Sequence, residues 1–326
     1  YSWLAEFASN IGKYEEHTIA TAKLAIASRK VMLDFSNQAG LSFDRVNRGI
    51  LHFYKSEADF AHAHKVTDLL AKAGLSRRRL TADEVYAIEP AMRAPVIGGY
   101  YTESDFTGDI HKFATGLAEA ARNQGVSFVM NTEIEDIKHQ HAKPLLTWKT
   151  STGEVENGLF DGIVVTAGVM SRKLAAKLGD RVNVYPVKGY SITVDLKDTA
   201  SQTAAPTVSL LDDAAKIVTS RLGTNRFRVA GTAEISGINY DIRSDRIAPL
   251  IKWVEANFPD ISTETVVPWA GLRPMMPSML PHIGPGRKPG VYYNTGHGHL
   301  GWTLSCISAQ MVGDIIHSQN NQRLAG

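Results

Sequence analysis

One stretch near the C-terminus joins a strand, a tight turn and a helix, and this order limits the folds open to the chain. Residues 291–304 read VYYNTGHGHLGWTL, so strand-forming residues run into alternating Gly and His. Apolar residues then recur at helical spacing, at Leu304, Ile307, Met311 and Ile315. A helix that begins here presents unpaired N–H groups and the positive end of its dipole. The small residues let a flat or anionic group approach the backbone, although an ordinary strand-to-helix turn has the same pattern.

A second apolar strand ends in a similar turn. Residues 161–168 (DGIVVTAG) end in small residues, and a helix is predicted over 171–178. Residues 126–130 (VSFVM) are predicted to form another buried strand, after a helix that Asp109 caps. Apolar strands that alternate with helices are typical of a doubly wound sheet. Ligands of such sheets bind at the carboxyl ends of the strands, so the turn at 166–168 is a candidate wall for a dinucleotide.

The middle of the chain has a different pattern. From residue 182 to about residue 232, strand follows strand, with a turn at 223–225. An amphipathic helix over 247–258 follows and ends at Pro259. The chain is therefore predicted to combine an α/β domain with an α+β domain whose sheet is antiparallel.

The composition excludes several classes of protein. The chain has 326 residues, of which 44% are apolar and 21% are charged, as in ordinary globular proteins. A net charge of +2 gives no argument for nucleic acid as a partner. Cys306 stands alone, which excludes an internal disulfide and favours a reducing compartment. No apolar run reaches the roughly 18–20 residues that a membrane-spanning helix needs.

Two further stretches hold charged residues in apolar surroundings. Residues 184–194 (VYPVKGYSITV) contain Lys188 and Tyr190, which either lie near a ligand or belong to an ordinary strand with an edge-facing lysine. Arg273 lies in the uncharged run GLRP and therefore needs an anionic partner. Guanidinium is suited to hold a carboxylate with two parallel hydrogen bonds. An internal Asp or Glu is the alternative partner.

The histidines do not predict a metal centre. His297 and His299 are two residues apart, and His282 is near them in the sequence, but no further ligand has a recognisable zinc spacing. We therefore predict no metal. Cys306 is interpreted as a packed apolar residue.

Together and in this order, the stretches at 164–168, 184–194, 271–274 and 294–303 resemble the flavin-dependent D-amino-acid oxidase superfamily. The resemblance covers nearly the whole chain and is strongest to the bacterial branch that dehydrogenates D-amino acids. It implies FAD as the cofactor and a Rossmann-like FAD-binding domain interleaved with an antiparallel-sheet substrate domain. The implied boundaries are 1–44, 105–181 and 269–326 for the FAD-binding domain, and 45–104 and 182–268 for the substrate domain.

The chain departs from the superfamily at the ADP-binding end. The superfamily implies an N-terminal βαβ unit with a G-x-G-x-x-G turn, and no such motif occurs here. The expectation is that this segment of the FAD-binding domain is missing. An inactive fragment that cannot bind FAD is therefore one alternative.

The resemblance also implies roles for individual residues. Arg273 would bind the substrate carboxylate, and Tyr190 or Tyr101 is a candidate to place a hydroxyl beside it. The residues expected along the flavin are Thr166, Ala167, Gly168, Gly296, His297, Gly298, His299, Leu300, Gly301, Trp302 and Thr303.

The implied reaction is oxidative deamination of a D-amino acid to a 2-oxo acid and ammonia. Hydride passes from Cα to flavin N5, and electrons pass on to a quinone-type acceptor. A glycine or sarcosine type of amine oxidase that uses oxygen is the alternative enzyme. The expected location is cytoplasmic, with peripheral contact to the inner face of the bacterial plasma membrane. The aromatic segment at 1–7 is a candidate for that contact, with core packing as the alternative.

Overall fold

The computed structural model describes residues 2–325, with side chains over residues 2–319. The helices are α1 (Ser2–Asn10), α2 (Tyr14–Gln38), α3 (Glu57–Ala71), α4 (Ala82–Ile88), α5 (Ile110–Asn123), α6 (Ser171–Lys177), α7 (Thr199–Ala204), α8 (Ser244–Asn257) and α9 (Gly301–Ala325). The strands are β1 (Ile50–Tyr54), β2 (Arg78–Thr81), β3 (Gly98–Thr102), β4 (Glu133–Gln140), β5 (Lys143–Lys149), β6 (Val155–Leu159), β7 (Ile163–Val165), β8 (Tyr185–Asp195), β9 (Ser209–Asp212), β10 (Ile217–Leu222), β11 (Arg226–Glu234), β12 (Val266–Met275), β13 (His282–Pro285) and β14 (Val291–Thr295).

An eight-stranded sheet in the order β12-β8-β11-β10-β9-β1-β3-β2 is the main framework. Its neighbouring strands are antiparallel except for β1 and β9, which run parallel. One face carries the largest core, in which Leu51, Ile192 and Val229 are fully buried with Leu250 of α8. The antiparallel sheet predicted for the middle of the chain is thus confirmed.

Strict alternation along β8 separates the two faces of this sheet. Tyr190 and Ile192 point into the core, so Gly189 and Ser191 lie on the opposite face. On that opposite face, a cavity of about 310 Å³ lies between α2 and the sheet, bounded by Ile50 and Ser220 among others. The functional residues described below lie on the same face.

Side-chain caps define the starts of two helices. The Asp109 carboxylate accepts hydrogen bonds from the N–H groups of His111 and Lys112, at 2.9 and 3.2 Å. Thr81 and Glu84 form a reciprocal capping box at the start of α4. The helix start predicted at Asp109 is confirmed.

A smaller sheet in the order β13-β14-β7 contains a second parallel strand pair, β14 with β7. The predicted strand at 126–130 is wrong, because these residues adopt no strand and Val129 and Met130 remain 74% and 67% exposed. An apolar run forms a strand only where a neighbouring strand takes up its backbone hydrogen bonds. Within the described residues no strand lies beside this segment, so the doubly wound sheet is represented by β7 and β14 alone.

The remaining sheet has the order β4-β5-β6, and β5 and β6 form a hairpin whose turn includes residues 151–153. The division into two domains stays a prediction, and β12 crosses its 268/269 boundary. The described helices include none that is long and apolar enough to cross a membrane.

Candidate active site

Arg273 lies on β12 with its guanidinium directly above Gly189 of β8. A Cβ atom added to Gly189 would lie 2.2 to 2.3 Å from the guanidinium atoms of Arg273, so only glycine leaves room for it. Nη1 of Arg273 donates a hydrogen bond of 3.0 Å to the carbonyl of Thr232. Thr232 has a φ of 59° and lies in the β-bulge that ends the regular part of β11. The bulge therefore aims a carbonyl at the arginine and fixes its direction.

The internal carboxylate considered as a partner for Arg273 is not found. Among the side chains over residues 2–319, no Asp or Glu forms an ion pair with Arg273, whose one protein hydrogen bond is that to Thr232. The side chain is half-buried, and desolvation lowers the pKa of Arg273 from its ordinary value. A guanidinium in this setting retains donors for an anionic ligand.

A pocket of about 240 Å³ opens beside Arg273. Its floor consists of β8, β11 and β12, and its other wall is formed by Gly298 and His299. The same pocket contains Arg228 and Trp269, which the sequence analysis did not single out. The alternation in RFRVAG could have found Arg228, because Phe227 and Val229 are buried and must point away from it.

The Gly–His turn between β14 and α9 is tied to the residues that follow Arg273. The Gly298 N–H donates to the Pro274 carbonyl at 3.0 Å, and Met275 forms a β-bridge with His297. Gly296 and Gly298 have φ values of 77° and 58°, in the left-handed region that favours glycine. The turn therefore holds the start of α9 at a fixed place relative to Arg273.

The two histidines of this turn have different environments. The imidazole Nε2 of His297 is hydrogen-bonded to the Ser308 hydroxyl at 3.0 Å, and burial lowers the pKa of His297. His299 borders the pocket, where desolvation and the positive charge of Arg273 lower the pKa of His299. His297 thus connects the Gly–His turn to α9 through Ser308. His299 faces the pocket as a neutral group at pH 7.

The turn at 166–168 lies next to the Gly–His turn. Because β7 and β14 are parallel, their carboxyl ends meet at one edge of the small sheet. The Thr295 hydroxyl donates to the Gly168 carbonyl at 3.4 Å and shares a buried hydrogen bond of 2.8 Å with Ser171. Thr166 and Ala167 are exposed at this edge. The structure thus brings together the two stretches that the resemblance placed along the flavin.

The two predicted tyrosines point elsewhere. The Tyr190 hydroxyl donates to Glu234 in the core, because Gly189 takes the face beneath Arg273 and its neighbour must take the other. The Tyr101 hydroxyl donates to the Arg48 carbonyl at 2.9 Å, and Tyr101 pairs with Leu51 on the core face. The expectation of a tyrosine hydroxyl beside Arg273 is therefore not met by either residue.

Trp302 lies at the start of α9, but its ring packs away from the turn. It stacks on Phe113 with ring centres 5.9 Å apart, and its Nε1 donates to the Met32 sulfur at 2.9 Å. The indole is thus part of the packing between α9, α2 and α5. Trp302 also lines the cavity of about 310 Å³, so its expected place along the flavin stays a prediction.

The N-terminal aromatic segment supports this part of the fold. The Trp3 indole donates to the Met275 carbonyl at 2.9 Å and packs against Phe7 and Tyr185. Trp3 is therefore a packing residue at the end of β12. Tyr1, the first residue of the segment, lies outside the described residues.

The family model described as FAD dependent oxidoreductase (DAO) matches residues 4–315. The chain is therefore a member of the DAO family of FAD-dependent oxidoreductases.

Several relatives have names that are more specific than the family description. D-amino acid dehydrogenase 3 of Mesorhizobium japonicum is 52% identical over 316 residues, covering 97% of this chain and 76% of that protein. D-amino acid dehydrogenase of Dechloromonas aromatica is 38% identical, covering 94% of this chain and 73% of that protein. The crystal structure of glycine oxidase from Geobacillus kaustophilus superposes with a TM-score of 0.81 at 22% identity, covering 90% of this chain and 78% of that one.

The residues at the small-sheet edge fit the ring end of a flavin. The N–H groups of the first turn of α9 have no partner within the helix. A Cβ added to Gly301 would meet nothing within 4 Å, so the space above the helix start is open. The cavity of about 310 Å³ reaches the same helix start at Trp302 and Thr303. Backbone donors at a helix start, beside a cavity of this size, suit a flat ring with electronegative edge atoms.

Proposed function

We propose that this chain oxidises D-amino acids to 2-oxo acids and ammonia with FAD, and passes the electrons to a quinone-type acceptor. The observation that carries the proposal is Arg273, a half-buried guanidinium without an internal carboxylate that faces a pocket beside the Gly–His turn. The names of the two D-amino acid dehydrogenases support the choice of substrate.

Arg273 binds and orients the substrate. Its free donors take the α-carboxylate in charge-assisted hydrogen bonds, and its direction is fixed by Gly189 below and the Thr232 carbonyl beside it. The bound flavin supplies the acceptor for the hydride from Cα. Positioning then contributes much of the rate, because the substrate is held in one orientation.

The start of α9 stabilises negative charge. Its unpaired N–H groups and its dipole would stabilise negative charge on the edge of a bound flavin ring. His299 borders the pocket as a neutral imidazole and adds no further positive charge next to Arg273. No residue at the pocket needs to remove a proton from Cα, because the Cα hydrogen leaves with its electron pair as a hydride while the lone pair of the neutral amine forms the C=N bond.

The acceptor requires a surface that reaches a bilayer, and we place this contact on the loop between β11 and α8. Ile235, Ile238, Tyr240 and Ile242 are 69%, 61%, 61% and 47% exposed within eight residues. Exposed apolar side chains of this density mark a contact with a partner or a membrane. The loop directly follows the bulge that holds Arg273.

The proposal is tested with the flavin-loaded protein and matched pairs of D- and L-amino acids. We expect D-amino acids to reduce an artificial dye in the absence of oxygen, and little peroxide to form in air. Peroxide formation at the rate of dye reduction would indicate an amine oxidase instead. A protein that retains no flavin and reduces no dye would favour the inactive fragment.

A further inference from the structure

A second guanidinium shares the pocket with Arg273. Arg228 lies on β11, opposite Thr193 of β8, on the face of the sheet that carries Arg273. Its Cζ atom lies 5.3 Å from the centre of the Trp269 ring, in a cation–π contact. That ring in turn lies over Gly271, where an added Cβ would be 2.1 Å from the indole. Arg228 is thus held by an aromatic ring, and its charge is not neutralised by that contact.

Asp109, the acidic residue whose charge opposes the lowering of the pKa of Arg228 by burial, is already engaged. Asp109 is 4% exposed, and its carboxylate accepts a hydrogen bond of 2.8 Å from Nη2 of Arg226. The other oxygen caps α5. For the side chains described, no ion pair joins Arg228 to any Asp or Glu. Arg228 therefore remains an unpaired cation at the pocket.

The pocket walls carry two positively charged side chains and no acidic one. Arg228 and Arg273 line it together with the titratable imidazole of His299, and none of its lining residues is acidic. An amino acid with a neutral side chain would bring one carboxylate to two guanidiniums. A second carboxylate on the ligand would satisfy the other guanidinium, since burying an unpaired charge is unfavourable.

Two glycines make room for the large side chains at the floor of the pocket. Gly189 and Gly271 pair directly across β8 and β12. The Arg273 guanidinium occupies the space above Gly189, and the Trp269 ring that Arg228 contacts occupies the space above Gly271. Paired residues of neighbouring strands are roughly 5 Å apart. Both guanidiniums therefore border the Trp269 ring in one pocket, where a short molecule with a carboxylate at each end offers one carboxylate to each.

We propose that the preferred substrate is a D-amino acid with a carboxylate side chain, whose α-carboxylate binds Arg273 and whose side-chain carboxylate binds Arg228. The inference rests on the proposed function, since it specifies the substrate of the same pocket. It makes Arg228 the residue that determines specificity, while Arg273 serves every substrate.

The test compares D-glutamate with D-glutamine, which differ in charge but hardly in shape. We expect kcat/KM of the natural protein to be higher for D-glutamate. In Arg228→Met, which keeps an apolar stem against Trp269, the ratio of the two kcat/KM values should fall about 10- to 100-fold, as for the loss of a charge-assisted hydrogen bond. Arg79→Met is the matched control, because Arg79 also stacks on a ring, at 4.7 Å from Phe60, on a strand at the far edge of the sheet.

Each outcome decides the inference separately from the proposed function. Equal kcat/KM for the two substrates, or an equal loss of both in Arg228→Met, overturns the dicarboxylate inference and leaves D-amino acid oxidation standing. If no D-amino acid is oxidised, the proposed function fails. Thermal stabilisation of the protein by D-glutamate then tests whether the dicarboxylate site exists. Saturable stabilisation that Arg228→Met abolishes supports the dicarboxylate site, and absence of stabilisation in the natural protein overturns it.

Discussion

Gly189 determines where the charge of Arg273 lies, because the guanidinium occupies the space in which any other residue would place its Cβ. The Thr232 carbonyl then fixes the side chain from one side. Glycine in a strand interior weakens the strand and often marks a close approach of another group. The need for a small residue at position 189 is therefore a requirement of the site and not of the sheet.

Gly189→Ala is expected to displace the Arg273 guanidinium and to lower kcat/KM for D-amino acids by about 10- to 100-fold, because a charge-assisted hydrogen bond loses its geometry. Gly313→Ala is the control, since a Cβ there meets nothing within 4 Å and the residue lies inside α9. Steady-state kinetics measure the effect. Kinetics of Gly189→Ala equal to those of the control would show that Arg273 does not act from this position.

Sequence reasoning found Arg273 and missed Arg228 for a physical reason. Arg273 stands in a run with no other charged residue, so its need for an anionic partner follows from the local sequence alone. Arg228 lies in RFRVAG among other charges, and its role depends on Trp269, which is 41 positions away in the sequence and becomes a neighbour only in the sheet. Tyr190 and Tyr101 were misplaced because a strand residue one position off points to the other face.

Whether a predicted strand forms depends on whether another strand pairs with it. Asp109 and the Thr81–Glu84 capping box act on neighbouring backbone groups, so their helices could be predicted locally. The run at 126–130 had the right composition for a strand but has no neighbouring strand among the described residues. The order of the large sheet, in which β1 lies next to β9, depends on contacts that no local pattern shows.

A half-buried polar cluster lies beside the parallel strands β1 and β9, and it should make stability depend on pH. The Asp213 carboxylate accepts hydrogen bonds from the Tyr54 hydroxyl at 2.6 Å and from His52 at 3.2 Å. Burial alone would raise the pKa of Asp213, but these hydrogen bonds, first that of His52, outweigh it and lower the pKa to about 2. The carboxylate therefore stabilises the fold above its ordinary pKa of about 4, and this contribution is lost as the pH falls toward 2.

Asp213→Asn is expected to reduce the free energy of unfolding at pH 7 by about 1 kcal/mol, a value that allows for solvent screening of a side chain that is partly exposed. The difference from the natural protein should shrink as the pH falls from 4 toward about 2. Denaturant unfolding at several pH values measures it. Asp161→Asn is the control, because the Asp161 side chain is 95% exposed in its ion pair with Lys143. A difference that is constant with pH would contradict this account.

Across the whole molecule, the large sheet joins the site to the surface that we assign to the bilayer. The bulge in β11 supplies the Thr232 carbonyl that binds Arg273, and it continues into the exposed loop that begins at Ile235. The proposed division into an FAD-binding and a substrate domain places this loop in the substrate domain. Substrate oxidation and delivery of electrons to a membrane acceptor would then share one end of the molecule.

Replacing Ile235 and Ile238 with Ser is expected to weaken binding to vesicles that contain anionic lipid by on the order of tenfold or more, because each apolar side chain contributes about 1.5–3 kcal/mol when buried. The control replaces Val126 and Val129 with Ser, since these residues are 51% and 74% exposed on another part of the chain. Co-sedimentation measures the binding. Equal binding by the two variants would remove the loop as the membrane contact.

The central claim is that Arg273 holds the substrate carboxylate of an FAD-dependent enzyme, and anaerobic reduction of the bound flavin tests it most directly. We expect a D-amino acid, and not its L-enantiomer, to bleach the flavin absorbance of the natural protein. In Arg273→Gln the protein should retain its flavin, while the rate of bleaching at low substrate falls by a factor that corresponds to about 2–5 kcal/mol, the cost of removing one partner of a buried charge pair. Bleaching of Arg273→Gln at the rate of the natural protein would contradict the claim.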